Sequence, residues 1–142
     1  ELKELLIKVC INNSRIAEIK ESKSDTRILI ELLDHFGIMK TIPMLNGMFA
    51  FALYDTKDKL LYMARDYYGQ KPLFYSNCSN LFSFSSLLVD CLNLSNLKKS
   101  LNKKTALHGV QFGMSLLSET LFEQVFEVPP GNIISVKKYD KH

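Results

Sequence analysis

The residues best suited to metal, redox or nucleophilic chemistry are three cysteines and three histidines, scattered along a chain of 142 residues. They are Cys10, Cys78, Cys91, His35, His108 and His142. Neither set has metal-ligand spacing, and an odd, sparse cysteine count without a CxxC pair argues against a disulfide framework and against a zinc site. The cysteine usage favours a reducing, cytoplasmic setting.

Three charged residues are stronger candidates because of where they stand. Asp25 lies in a Ser-Asp-Thr sequence directly before an amphipathic run, where a side-chain oxygen can cap a helix. Arg65 and Asp66 end an apolar segment and precede Gly69 and Pro72, which frame a fixed loop. From the residues alone we interpret Arg65 and Asp66 as a structural pair that fixes this loop, or as support for a pocket.

The bulk composition excludes several classes of function. Apolar residues make up 46% of the chain and charged residues 23%, as in an ordinary globular domain large enough to bury a core. The net charge of +3 is small and the lysines are scattered, which argues against nucleic-acid binding. No apolar run reaches the roughly 18 residues that a membrane span needs.

A central hairpin should position Arg65 and Asp66. The run Gly47–Tyr54 is apolar almost throughout, which suits a strand buried on both faces. A polar, turn-prone DTKDK follows, and a second apolar run then returns to Arg65. The pattern along the chain predicts strands at 47–55, 59–65, 72–76, 81–85 and 132–137. Tyr67, Tyr68 and Tyr75 are predicted to pack, with polar tips.

Helices should flank these strands. Leu2, Leu5, Leu6 and Val9 have helical spacing, so residues 1–10 are predicted to be helical. A second helix should begin at residues 24–26 and end at Gly37, and two more are predicted at 87–92 and 104–117. Residues 11–24 are interpreted as a loop with a short strand near 16–19, and residues 77–80 as a turn.

Three motifs in this order resemble the glutaminase domain of glutamine-hydrolysing asparagine synthetases. They are LNGMFAFALYD at 45–55, ARD at 64–66 and GQKPLFY at 69–75. The resemblance is good over residues 24–92 and weaker over 1–6 and 120–136. It implies an α/β fold, a partial four-layer αββα sandwich of the N-terminal nucleophile hydrolase type. The chain is then expected to be a single, incomplete glutamine amidotransferase domain over residues 1–142.

The resemblance also implies the chemistry. Such domains use a cysteine at mature position 1, whose thiolate attacks the glutamine amide while its own α-amino group carries the proton. Residue 1 here is Glu1, and Asn46-Gly47 resembles the oxyanion-stabilising Asn-Gly-Glu loop of the family only as a dipeptide. We therefore assign no catalytic residue within the chain and expect it, as given, to be catalytically incomplete.

Asp25 is the substrate residue that the resemblance carries over. It matches the aspartate that recognises the α-amino group of glutamine in this family. The role suits a carboxylate, because a carboxylate beside an ammonium group makes a charge-assisted hydrogen bond.

The function implied by the resemblance is release of ammonia from glutamine for the ATP-dependent amidation of aspartate or another carboxylate. No cofactor or metal is expected in this chain, since ATP and Mg²⁺ would be bound by a separate synthetase domain. Expected partners are glutamine, that synthetase domain and, as an option, a second copy in a homodimer. The alternative is a non-catalytic binding or interaction module derived from the same domain.

Overall fold

The computed structural model describes residues 24–78, 81–94, 99–113 and 118–137, together with Glu4 and Glu21. It divides the chain into two compact units, Glu1–Gly47 and Met48–His142. The helix predicted for residues 1–10 and the loop predicted for 11–24 lie almost wholly outside the described residues.

The first unit contains the helix that was predicted to begin at residues 24–26 and end at Gly37. Helix α1 (Asp25–Phe36) buries Leu32 and Leu33, the centre of its apolar stripe. It ends at Gly37, whose positive φ of 74° is a conformation that glycine adopts without strain, and whose N–H donates to the Leu33 carbonyl. A short helix α2 (Ile38–Thr41) and a 3₁₀ turn (Ile42–Met44), neither of which was predicted, follow it.

The second unit contains two antiparallel sheets of three strands each. Strand β1 (Ala50–Asp55), β2 (Leu60–Arg65) and β6 (Ile133–Lys137) form the first sheet in the order β1-β2-β6. The β1–β2 hairpin pairs Ala50 with Arg65. Its turn is held by the Asp55 carboxylate, which accepts from the Lys57 N–H at 2.8 Å. The hairpin thus delivers Arg65 to the end of the central strand.

The second sheet and two helices complete this unit. Strands β3 (Phe74–Cys78), β4 (Leu81–Ser85) and β5 (Phe126–Glu127) are ordered β4-β3-β5. Helix α3 (Leu88–Leu94) follows β4, and helix α4 (Lys103–Phe112) ends at Gly113, which has a left-handed backbone.

Two apolar clusters show how the layers pack. Met63 and Ile134 of the first sheet pack with Tyr75 and Phe82 of the second, around buried Leu73 and Val128. On the other face of the second sheet, Phe74 packs with Cys91 and Leu92 of α3 and with Val125. Adjacent residues of β3 therefore serve opposite cores, as alternation along a strand requires. The predicted α/β class is confirmed.

Some element boundaries differ from prediction. Residues 77–80 were predicted as a turn, but Asn77 and Cys78 extend β3, because they pair with Phe82 and Leu81 of β4. Strand β5 was not predicted, since its two residues carry no alternation. Helix α4 ends at Phe112, and the predicted continuation over 114–117 lies outside the described residues.

Candidate functional site

The predicted site residues fall into two places. Arg65 and Asp66 come together where β2 ends, in the second unit, and both are buried. Asp25 is in the first unit, as the first residue of α1, and its side chain is exposed. Ser24 occupies the N-cap position, so Asp25 is a first-turn acid of the helix and not its N-cap.

Arg65 holds two chain segments together with one side chain. Its Nε donates to the Lys71 carbonyl at 2.7 Å and its Nη2 to the Gly69 carbonyl at 2.6 Å. Its Nη1 donates to the Val128 carbonyl and pairs with the Glu127 carboxylate, both at 2.8 Å. The rigid donor fork of a guanidinium suits this geometry. Arg65 therefore ties the loop after β2 to the end of β5.

Asp66 organises the same loop from within. Its carboxylate accepts hydrogen bonds from the backbone N–H groups of Tyr68 at 3.1 Å, Gln70 at 3.0 Å and Lys71 at 3.1 Å. Its backbone carbonyl accepts from the N–H groups of Gly69 and Gly131. Arg65 and Asp66 thus act on one loop through different groups, Arg65 through carbonyls and Asp66 through amides. We name residues 65–71 with 127–131 the loop clamp.

The surroundings of Asp66 lower the pKa of its carboxyl group. Burial alone would raise this pKa, but hydrogen bonds from the backbone of Gln70 and Lys71, with those of Phe49 and Tyr68, outweigh it. The net pKa lies below the ordinary value of 3.8. The ionised carboxylate is therefore the form that the fold stabilises.

Acid should weaken the second unit through Asp66. Because the pKa of the folded state is below that of the unfolded state, the stabilisation is complete above about pH 4 and is lost as pH falls through the folded-state pKa. Urea unfolding followed by circular dichroism at a series of pH values measures this loss. Asp66→Asn should be less stable at neutral pH and lose less below pH 4 than the parent chain. Equal acid dependence in both proteins would contradict the assignment.

Gly69 lets the two sides of the clamp approach closely. Its φ is +63°, and a Cβ built there would lie 2.8 Å from Pro130 Cγ and 3.1 Å from Arg65 Cζ. A side chain at this position would meet both a strained backbone and the guanidinium. The close packing explains why this loop carries glycine between Arg65 and Pro72.

Gly69→Ala should destabilise the chain. The left-handed backbone alone costs about 1–2 kcal/mol for an L-residue, before the contact with Pro130 is counted. Gly109→Ala is the matched control, because Gly109 lies inside α4 and its Cβ would meet nothing within 4 Å. That change should stabilise the chain by roughly 0.5–1 kcal/mol. Denaturant midpoints measure both, and a Gly69→Ala protein as stable as Gly109→Ala would refute the close-packing account.

The clamped loop presents two exposed aromatic side chains. Tyr67 and Tyr68 are 79% and 77% exposed, and their rings meet edge to face at 5.2 Å. The prediction that both pack was wrong, because the loop backbone turns them outward while Asp66 takes the buried position. Tyr75 does pack, with Phe82 and Phe126, and burial raises the pKa of its hydroxyl.

Two acidic residues with defined partners were not singled out from the sequence. Glu127 pairs with Arg65 across a sequence separation that no local pattern reveals. Glu119 accepts from Thr105 Oγ1 at 2.8 Å and Asn102 Nδ2 at 3.3 Å, which with nearby Lys104 lowers the pKa of its carboxyl. Asn102 also caps α4, so Glu119 supports the start of this helix.

Among the described residues, Asp25 is suited to binding a cationic group, whereas Arg65 and Asp66 stabilise a loop. Asp25 presents an exposed carboxylate that can accept hydrogen bonds from an ammonium group. Within the part of the chain that the structure describes, no three His, Cys, Asp or Glu side chains are grouped to hold a metal ion. No helix among these same residues is long and apolar enough to cross a membrane.

Comparison with known protein families identifies the family of this chain. A family model described as a glutamine amidotransferase domain matches residues 13–142. This chain belongs to that family. The match includes α1 with Asp25, both sheets and the whole loop clamp, and it agrees with the family resemblance of the hairpin motifs.

Individual relatives support the same assignment over part of the chain. The chain is 38% identical over 81 residues to an asparagine synthetase (glutamine-hydrolyzing) of Bos taurus, covering 57% of this chain and 14% of that protein. The Homo sapiens protein of the same name is 48% identical over 54 residues, covering 38% and 10%. A putative asparagine synthetase of Methanocaldococcus jannaschii is 35% identical over 85 residues, covering 58% and 16%. The matched part of the chain thus spans only 10–16% of the length of these relatives.

Proposed function

We propose that this chain is the later part of the glutaminase domain of an asparagine synthetase-like enzyme. In that role it helps release ammonia from glutamine, and the ammonia amidates an ATP-activated carboxylate, aspartate in the first instance. The observation that carries the proposal is the family match over residues 13–142, which spans the loop clamp and Asp25. The relatives named as glutamine-hydrolysing asparagine synthetases support aspartate as the acceptor.

Asp25 is the residue to which we give a direct role. Its carboxylate at the start of α1 is exposed and therefore accessible to a substrate. A charge-assisted hydrogen bond to the α-ammonium group of glutamine would select an amino acid over a simple amide. Arg65 and Asp66 have an indirect, structural role, because they fix the loop after β2.

The nucleophile is not assigned within residues 1–142. The family chemistry needs a cysteine that carries a free α-amino group, and Cys10, Cys78 and Cys91 are internal to this chain. We therefore propose that residues 1–142 form a partial domain that does not hydrolyse glutamine by itself. ATP and Mg²⁺ would be bound by a synthetase domain, and the sparse cysteines favour a reducing, cytoplasmic location.

A hybrid enzyme tests the proposal. Residues 24–137 replace the corresponding stretch of the Homo sapiens asparagine synthetase, which supplies the segment with the family's cysteine and the synthetase domain. The purified hybrid is then assayed for ammonia release from glutamine in the absence of ATP. We expect turnover well above that of the same hybrid with its nucleophilic cysteine changed to alanine.

The alternative of a binding module predicts a different outcome. A hybrid that folds, makes asparagine from added ammonia and yet hydrolyses no glutamine would show that this segment no longer supports a glutaminase site. The ammonia-dependent reaction is the internal control, since it requires a folded synthetase domain but not the glutamine pocket.

A further inference from the structure

The Asn46-Gly47 step, which the proposed function does not use, has the features of a chemically reactive asparagine. It is the one Asn-Gly dipeptide in the 142 residues. Both residues are exposed, and they lie between the 3₁₀ turn that ends at Met44 and strand β1. Gly47 has a φ of +137°, and a Cβ built there would meet nothing within 4 Å.

From these observations we infer that Asn46 is a site of spontaneous deamidation to aspartate and isoaspartate. The backbone nitrogen of Gly47 attacks the side-chain amide carbon of Asn46 and loses its proton to solvent. The bond from that carbon to the amide nitrogen breaks, and ammonia leaves. A five-membered succinimide remains, and water opens it at either carbonyl. The net change is water in and ammonia out, with no oxidation or reduction.

The local structure removes the usual obstacles to this ring closure. Glycine has no Cβ to crowd the attacking nitrogen, and the space around Gly47 is open. Neither residue belongs to a helix or strand, so closing the ring breaks no ladder of backbone hydrogen bonds. Both residues are also exposed, which gives water access to the succinimide.

Two other asparagines among the described residues lack these features. Asn132 donates from Nδ2 to the Pro130 carbonyl, and the branched Ile133 follows it. Asn102 has both side-chain atoms engaged, Nδ2 with Glu119 and Oδ1 with the N–H of Thr105. These two residues are therefore internal controls within the same molecule.

The modified residue would lie at the boundary between the two compact units of the chain. Gly47 is the last residue of the first compact unit and Met48 the first of the second. Ring opening to isoaspartate adds one carbon to the main chain at this junction and one negative charge to the molecule. Deamidation would alter the covalent link between the two units, whichever function the chain performs. The reaction is thus independent of the proposed function.

The test uses the whole chain of residues 1–142. The purified chain is incubated at mildly alkaline pH and physiological temperature, and its proteolytic peptides are followed by mass spectrometry. We expect a mass increase of about 1 Da on the peptide containing Asn46, split between aspartyl and isoaspartyl forms. Asn46 should react at least roughly tenfold faster than Asn102 or Asn132, and the intact chain should gain an acidic species on ion exchange.

Two controls make every outcome informative. Asn46→Gln keeps the amide but requires a larger ring to form. In this variant the peptide that contains residue 46 should not be deamidated. A synthetic peptide of residues 42–51 reports the rate without the fold. A peptide that reacts while the chain does not would show that the fold protects Asn46, and would overturn the inference. Equal modification of Asn46, Asn102 and Asn132 would overturn it too, since that pattern reports unfolding.

Discussion

Replacing Arg65 with methionine will lower the free energy of unfolding by about 3–5 kcal/mol, because it removes a buried guanidinium that binds three carbonyls and pairs with half-buried Glu127. The change leaves the carbonyls of Gly69, Lys71 and Val128 without their donor and strands the Glu127 carboxylate. Methionine is shorter than arginine but close to it in volume and has no donor, so the effect reports mainly the lost hydrogen bonds and ion pair. Total stabilities are only about 5–15 kcal/mol, so the variant should be close to unfolding.

Urea unfolding followed by circular dichroism measures the change, and soluble yield serves if the variant does not fold. Lys71→Met is the matched control, because Lys71 is in the same loop but its side chain is exposed. The free energy of unfolding of Lys71→Met should be within about 0.5 kcal/mol of that of the parent chain. Arg65→Lys keeps the positive charge but loses the planar donor fork, so its free energy of unfolding should lie between those of Arg65→Met and Lys71→Met. Arg65→Met as stable as Lys71→Met would mean that the clamp contributes nothing to the fold.

Asp25→Asn in the hybrid enzyme should lower glutamine-dependent kcat/KM by about tenfold or more. A charge-assisted hydrogen bond contributes about 1.5–3 kcal/mol and a neutral one about 1, so the difference is roughly one to two kcal/mol. Ammonia-dependent synthesis should be almost unchanged, because free ammonia does not use the glutamine pocket. Steady-state kinetics with each nitrogen source separates the two effects.

The structure also predicts that this variant stays folded. Asp25 is exposed in the first turn of α1, so loss of its charge should cost well under about 1 kcal/mol through the helix dipole. Asp34→Asn is the control, since Asp34 is an exposed acid near the other end of the same helix. It should leave both nitrogen sources unaffected. Damage to both reactions by Asp25→Asn would instead assign Asp25 to the stability of the helix.

Local patterns in the sequence predict much of the fold. The apolar runs and the DTKDK turn predict the β1–β2 hairpin, and helical spacing with Gly37 predicts α1 almost to the residue. These elements are governed by neighbours in the chain. Strand β5 and the true extent of β3 depend on pairing with distant strands, and polar Asn77 therefore suggested a turn where the partner strand β4 holds it in the sheet.

The loop clamp marks the limit of prediction from sequence. The order of Arg65, Asp66, Gly69 and Pro72 indicates a fixed loop, and the structure provides the bonds that fix it. The partner residues Glu127 and Val128 are more than sixty positions away along the chain, and no local pattern connects them to Arg65. The exposure of Tyr67 and Tyr68 depends on the path of the loop backbone, which composition does not determine.

The most direct test of the proposed function is the ratio of glutamine-dependent to ammonia-dependent asparagine formation by the hybrid that carries residues 24–137. If these residues are a working part of a glutaminase domain, the hybrid will use both nitrogen sources, and Asp25→Asn will lower the glutamine-dependent rate selectively by about tenfold. A hybrid that makes asparagine from ammonia at the rate of the human enzyme, but makes none from glutamine, would contradict the proposal.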